Sequence, residues 1–541
     1  MGIATNRFEE RALCAVGQGT HAQPIFEENE ALCGAGVLFL LPALLSQGLF
    51  KTKDVYKIPE SHYYGLETVV LTLAFMALAR IKNPEQLKLC KPGEMGRYIG
   101  LDRILEVKCL RKKIKILSEQ NQAIHLNNLL IEQWYEGDTN DDAGFLYIDG
   151  HVRVYYGQKA NLPSKYVSRQ KLCLSATTEY WVNDAKGMPT MMVIGELTEK
   201  LQTVIEYNII PQLIDAKLLS LNNKESDIPQ CTFVFDREAY EPEFFQRLWD
   251  KYKIAIITYR KNVKDIWNNN TFKSVDVKVL DQYINMDLCE QKTELGGYQF
   301  REIRRLGING HQTAIITTNQ TIEISNIAGR MFARWSQENF FRYMIQDYDF
   351  DKMISFGVEA IDPEKTVVNP EYRKLTHQLK KIREKKQRIA AKFYPLLEQI
   401  MDIRLEEMPE ITDTQMQYKL LLDKYSKQEE HLLEQRKKQP PRITLYQMPN
   451  QERYNKLKTE SKILMNVIKM ICYRAESAVA SLITPYLKNA ENEKRMLVKQ
   501  IIKSNADMIP NYQENTLTIV LYSLSAPRYN YAAQKLAEFL N

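Results

Sequence analysis

Two short runs, Phe145-Leu-Tyr-Ile-Asp149 and Thr232-Phe-Val-Phe-Asp236, restrict what this chain can fold into more than any other feature. Each is largely apolar or aromatic until its last residue, and each then ends on an aspartate. Such a run reads as a strand buried on both faces. A carboxylate at its end is costly in an apolar setting unless it is paired or coordinated. A third acid, Glu338, lies in Arg334-Trp-Ser-Gln-Glu338-Asn, a helical stretch, four residues after an arginine. Two strand ends and a helix would bring three carboxylates together. That donor set suits hard divalent cations, which prefer oxygen. The chain has 67 acidic residues, so placement rather than number gives the trio its weight.

The 541 residues call for several domains. Residues 1–35 show no clear period and read as a poorly defined N-terminal arm. Residues 36–138 are helical in pattern. The apolar runs Gly36 to Leu44 and Val69 to Ala79 are too short to span a bilayer and read as buried helices, so no membrane is expected. A short helix and a turn after Lys91 lead to a helix over about 103–119, with Asp102 as candidate N-cap. Val107, Leu110, Ile114 and Leu117 give that helix an apolar face. Lys108, Arg111, Lys112 and Lys115 give it a basic one. The unit resembles a helix-turn-helix, and its basic face is the candidate DNA-binding surface. A merely solvated face is the competing reading.

Residues 139–348 change character. Strand patterns cover 144–149, 152–156, 177–183 and 190–194, with a hairpin loop at 185–189. A helical stretch over 197–219 follows, then a strand at 231–236, a helix at 242–252 and a strand at 254–259. This order is close to that of the ribonuclease-H-like fold, a mixed sheet flanked by helices. Strand patterns at 274–280, 298–306 and 312–318 make residues 265–326 a β-rich insertion. One helix over 327–347 then carries Arg330, Arg334, Glu338 and Arg342 near one face. Residues 349–541 form a long helical, coiled-coil-like region. Tyr372, Leu375, Leu379, Ile382, Ile389 and Phe393 follow a 3-4 alternation broken by Lys386. Residues 373–388 hold eight Lys or Arg against Glu384 alone. Pro440-Pro441 ends this helix region, and residues 451–487 are expected to fold back on it as an antiparallel hairpin. The fold class is therefore multidomain α+β.

The net charge of +6 is too mild to demand a nucleic-acid partner by itself. Eight cysteines are scattered singly, without zinc spacing, as expected of buried reduced thiols in a cytosolic protein. The first residues lack a signal-peptide layout.

Several stretches resemble the bacterial insertion-sequence transposases of the DDE type, which share the ribonuclease-H-like fold with retroviral integrases. They are residues 96–114, Tyr147-Ile-Asp-Gly-His-Val-Arg-Val-Tyr-Tyr-Gly, Thr178-Glu-Tyr-Trp-Val-Asn-Asp-Ala, Phe235-Asp-Arg-Glu-Ala-Tyr and the Arg334/Glu338 helix. The resemblance runs from about residue 35 to the C-terminus. It implies that Asp149, Asp236 and Glu338 are catalytic carboxylates holding two Mg2+ ions, with Mn2+ able to substitute. The reaction implied is phosphodiester cleavage at the element's ends and strand transfer into target DNA. The partners implied are double-stranded DNA, as terminal inverted repeats and target, and further copies of the chain in a homodimeric or larger synaptic complex. The place of action implied is the bacterial cytoplasm, at the nucleoid. Arg334 would orient Glu338 or contact a phosphate, with a surface ion pair as the competing reading; Arg237 could hold the DNA backbone near the metals, against a structural salt bridge; and His151 reads first as a plain turn histidine, with DNA contact beside the site as the alternative. One branch of these enzymes carries Y-x2-R-x3-E-x6-K. Here Arg334 and Glu338 match, while Met331 and Ile345 stand at the Tyr and Lys positions. That departure bears on the hairpin-end pathway of the branch, not on the metal site. Two rival readings are a catalytically inactive DNA-binding protein derived from a transposase and a coiled-coil scaffold built on 366–487.

Overall fold

The computed structural model describes residues 7–137, 144–167, 170–197, 199–221, 227–280, 282–350, 357–401, 413–450 and 452–541. The chain divides into two compact units, unlike the four parts expected from sequence. One holds residues 1–156, 164–357 and 457–541; the other holds 157–163 and 358–456.

The first unit begins with a helical layer. Helix α1 (Leu66–Leu78) is apolar almost all round and lies in the core. Helix α2 (Val107–Ser118) buries Leu110, Ile114 and Leu117 and keeps its basic face outward. Its N-cap is Glu106, not Asp102. Asp102 is taken instead by Arg11, which donates to both carboxylate oxygens at 2.5 and 2.6 Å. The preceding short helix, Pro92–Arg97, is separated from α2 by residues 98–106. That connection is longer than the roughly 3–4-residue turn of a helix-turn-helix. Within the stretch expected as an arm, Phe8–Ala15 is a helix, and Asn29–Leu32 is a strand paired antiparallel with Ala506–Asn511.

The main sheet has ten strands. They are β1 (Phe145–Val154), β2 (Ser164–Val167), β3 (Leu172–Asp184), β4 (Pro189–Gly195), β5 (Cys231–Phe235), β6 (Ile254–Tyr259), β7 (Lys273–Val279), β8 (Gln282–Leu295), β9 (Tyr298–Leu306) and β10 (Gln312–Thr317). The order is β2-β3-β1-β5-β6-β10-β9-β8-β7, with β4 paired to β3. Strands β1, β5 and β6 run parallel, and the remaining pairs are antiparallel. The parallel strands are continuous apolar runs because both sheet faces are covered. Leu146, Ile148, Phe233, Phe235 and Ile256 pack on one side with Phe244, Phe245 and Leu248 of helix α3 (Pro242–Tyr252). Phe145, Tyr147, Val234 and Ile257 pack on the other with Ile327 and Met331.

Residues 265–326 are β-rich, and their strands β7–β10 continue the main sheet. The long strand β8 escaped notice because its outward positions are polar and little of it is buried. The helix expected over 327–347 is two helices, α4 (Ile324–Phe332) and α5 (Trp335–Tyr348), broken at Ala333–Arg334. Arg330 therefore leaves the Arg334/Glu338 face and stacks over the Phe145 ring at 4.4 Å.

The helix Glu460–Ile483 is buried along most of its length within this unit and packs on α1, so it does not fold back on the preceding helices. Its polar side chains misled the sequence reading. Glu476 is satisfied inside, accepting from Arg80 at 2.5 Å and from Tyr348 Oη at 2.6 Å, whereas the buried Asn466 amide has no hydrogen-bond partner among the described residues.

The second unit is a helical hairpin of α6 (Pro370–Met401) and α7 (Asp413–Lys437). Arg383 and Lys386 on α6 both bond Glu429 on α7, at 2.8 and 3.1 Å. That contact explains the lysine in the apolar seam. The strands Thr366–Val368 and Arg442–Thr444 pair at the hairpin's base. Among the described residues all eight cysteines are free, but only Cys231, Cys289 and Cys472 are buried. No single described helix is long and apolar enough to cross a membrane.

Candidate active site

Register brings the two aspartates side by side. Ile148 pairs with Phe235 in the parallel β1/β5 ladder, so Asp149 and Asp236 are the next residues along two neighbouring strands. Asp149 lies within β1 rather than at its end, because β1 continues to Val154. Alternation puts Asp149 on the same face as Phe145 and Tyr147, the face covered by α4 and Met331. Asp236 follows β5 and caps a short 3-10 turn, accepting from the Arg237 amide at 2.7 Å. Glu338 stands in the first turn of α5.

All three carboxylates converge on one guanidinium. Arg334 lies 3.8 Å from Asp149 Oδ2, 3.8 Å from Asp236 Oδ2 and 3.4 Å from Glu338 Oε1. The Asp236 and Glu338 contacts are to the same nitrogen, so these two oxygens are no farther apart than those distances added. Arg334 reaches the centre because it caps α5 at the break between the helices. Among the described residues, no three His, Cys, Asp or Glu side chains are grouped closely enough to ligate one ion as they lie. The guanidinium holds the middle of the trio. Burial raises the Asp149 pKa to about 6, opposed by the Arg334 charge and the Gly150 amide.

The other expected residues divide. Arg237 is exposed and lies over the Tyr259 ring at 5.8 Å. His151 packs against Phe341 and Phe350, with ring centroids 5.8 and 5.0 Å away, which makes it part of an aromatic cluster beside the site. Met331 is fully buried under the sheet, and Ile345 is partly buried. Lys108, Arg111, Lys112 and Lys115 are all exposed on α2, as their spacing predicts. Arg111 meets Glu85 at 2.9 Å and Lys115 meets Glu119 at 3.6 Å. Lys108 and Lys112 make no ion pair among the described residues. Lys113 is turned inward, and its buried Nζ has no hydrogen-bond partner. Desolvation lowers its pKa to about 8.

A family described as transposase protein matches residues 2–541. The chain belongs to that family. No curated protein matches the sequence closely.

In this transposase the site leans on residues that the sequence pattern did not single out. Gln337 is wholly buried, and its Nε2 donates toward Tyr147 O, Trp181 O and Asn183 Oδ1 at 3.1, 3.1 and 3.2 Å. It clamps the first turn of α5 to β1 and β3, one residue before Glu338. Tyr147 Oη donates to Arg330 O at 2.9 Å and fixes the end of α4 in the same way. A fourth carboxylate, Glu238, accepts from Tyr180 Oη at 3.3 Å. Although the residue keeps an exposed side, desolvation raises its pKa against that hydrogen bond. A Cβ at Gly150 would stand 3.0 Å from the Tyr180 ring and 3.1 Å from Glu238 Oε2. Glycine after Asp149 is therefore what lets Glu238 approach the strand. A buried glutamine one residue before an acid, or a glycine one residue after it, was the available signal.

Proposed function

We propose that this transposase is an enzyme of the DDE type, cutting phosphodiester bonds at the ends of its element and joining them to target DNA. The observation that carries the reading is the convergence of Asp149, Asp236 and Glu338 on Arg334. Three carboxylates around one positive group form an anionic pocket that a cation must neutralise. Their donors are all oxygen, and Asp149 is partly desolvated, which fits hard divalent ions. In the working enzyme Asp149, Asp236 and Glu338 would together hold Mg2+, or Mn2+, through their carboxylate oxygens. When bound, such ions activate the attacking oxygen and stabilise the leaving one.

The chain's own residues supply positioning. Gln337 and Tyr147 hold the α4–α5 break against the sheet, so Glu338 is presented at fixed depth. Arg334, one side of which is open, has a phosphate as its natural partner once cations take over the carboxylates. Arg237, exposed and next to Asp236 in the chain, would hold the DNA backbone beside the site. Adjacent aspartates on two neighbouring parallel strands of a mixed sheet support a ribonuclease-H-like core. With this reading go double-stranded DNA as partner, a synaptic complex of two or more copies, and a bacterial, nucleoid-associated place of action.

The test replaces Asp236 by Asn, which keeps size and removes charge. DNA binding should persist while Mg2+- or Mn2+-dependent nicking at the element's end disappears, because binding rests on basic side chains and cleavage on metal. Undiminished nicking by D236N would remove Asp236 from the site. A wild-type protein that binds element ends but never nicks them with either ion would instead be the inactive DNA-binding derivative. The intact trio speaks against that alternative.

A further inference from the structure

The helical hairpin carries a second charged surface that the active site does not use. On α6 the side chains of Tyr372, Leu375, Leu379, Ile382, Lys386, Ile389 and Phe393 make the seam toward α7. At 100° per residue, Lys374, Lys381, Lys385, Arg388 and Lys392 fall within about 60° of one another, on a flank about a third of a turn from that seam. All five are exposed. Lys374 has one surface contact, to Glu371 at 3.7 Å. Among the described residues Lys381, Lys385, Arg388 and Lys392 make no ion pair. The inward-leaning Arg383 and Lys386 differ, since both are neutralised by Glu429. The fold therefore balances the charges it needs at the seam and leaves a row of unbalanced ones on the flank.

We propose that this row is a binding surface for the phosphate backbone of duplex DNA, separate from the basic face of α2 and independent of base sequence. It rests on the DNA-directed reading above. Lys381 to Lys392 spans about 16 Å of helix axis, so several phosphates of one backbone lie within reach of four cations. The row holds no aromatic side chain on which an unpaired base would stack, which favours a duplex over a single strand. Flexible lysines also suit phosphate as point charges rather than bases as patterned partners.

The experiment measures binding of the full chain to a random-sequence duplex, to an element-end duplex and to a single strand of equal length, each over a range of salt. The variant K381Q/K385Q/R388Q/K392Q is compared with wild type. Glutamine keeps helix propensity near that of lysine and arginine, and the seam is untouched, so melting temperature should hold. If it falls, K381Q/K385Q and R388Q/K392Q divide the change in half. The expected result is weaker binding to both duplexes by a similar factor. The slope of log affinity against log salt should become shallower by about one for each lost contact, roughly four in all. D236N should bind as wild type does, which separates this surface from the cleavage site. An unchanged slope in the fourfold variant overturns the proposal while leaving the active-site reading standing. So does a wild-type preference for the single strand that disappears with the row. A wild-type chain that binds no duplex removes both.

Discussion

Arg334 balances three carboxylates with one planar group, so its removal leaves three negative charges facing one another. Arg334→Gln should raise the Asp149 pKa above its present value of about 6, because Arg334 is the strongest influence holding it down. NMR titration of the metal-free carboxyl checks this. An unmoved pKa would mean that Arg334 does not govern Asp149. The sign for stability follows from linkage. The folded pKa lies above the unfolded value of about 3.9, so the folded chain binds more protons between the two. The contribution of Asp149 to stability therefore falls as pH rises from about 4 to about 6. Asp149→Asn should flatten that part of the stability curve. Gln337→Leu belongs to the same scale. It strips a donor from three acceptors and should cost about 1–3 kcal/mol in unfolding experiments. Nicking should fall further than that loss explains, since Glu338 is the next residue. Normal nicking in a destabilised Gln337→Leu would separate the clamp from the site.

Among elements, those with a clear period between turn residues were the legible ones. Helix α3 and strands β6 and β9 have the bounds their sequences predict, because each is an uninterrupted pattern between polar turns. The α4–α5 break was hidden because Ala333-Arg334 contains neither Gly nor Pro. What holds it is tertiary: Tyr147 Oη of β1 donates to Arg330 O on α4, while Gln337 on α5 donates to β1 and β3. The seam lysine of α6 has a similar origin, since its partner is 43 residues away on α7. Half-exposed ion pairs contribute little, and Glu429 keeps Arg383. Lys386→Leu should therefore change stability by less than about 1 kcal/mol, whereas Lys386→Glu should lower the melting temperature clearly. A large loss in Lys386→Leu would show the pair to be structurally required. Of the candidate site, the three acids and Arg334 were legible from the apolar runs before the aspartates and from helical spacing, although β1 runs on past Asp149. Gln337 and Glu238 were not, because an isolated glutamine or glutamate has no pattern until the fold surrounds it.

At the scale of the molecule, the helix Glu460–Ile483 is the axis of the first unit, and its buried charges make the unit sensitive to pH. Lys469 is buried, and desolvation lowers its pKa to about 7, with Lys462 adding to the effect and Asp349 and Glu179 opposing it. The folded pKa is below the unfolded value of about 10.4. Folding thus sheds a proton between these values, and stability rises with pH through that window. Lys469→Met should raise the melting temperature, by more at pH 7 than at pH 10. An equal gain at both would mean that Lys469 is not held neutral.

The pairing of Asn29–Leu32 with Ala506–Asn511 has a consequence in time. At about 5–20 residues per second, the ribosome makes the second strand on the order of half a minute to a minute and a half after the first. Gly36, whose Cβ would collide with Ile501 O, waits for the same late segment. A segment made early is thus completed only when one made much later arrives. Until then its strand edge stays open to any other chain that offers one, and a nascent-chain chaperone is the natural cover for it.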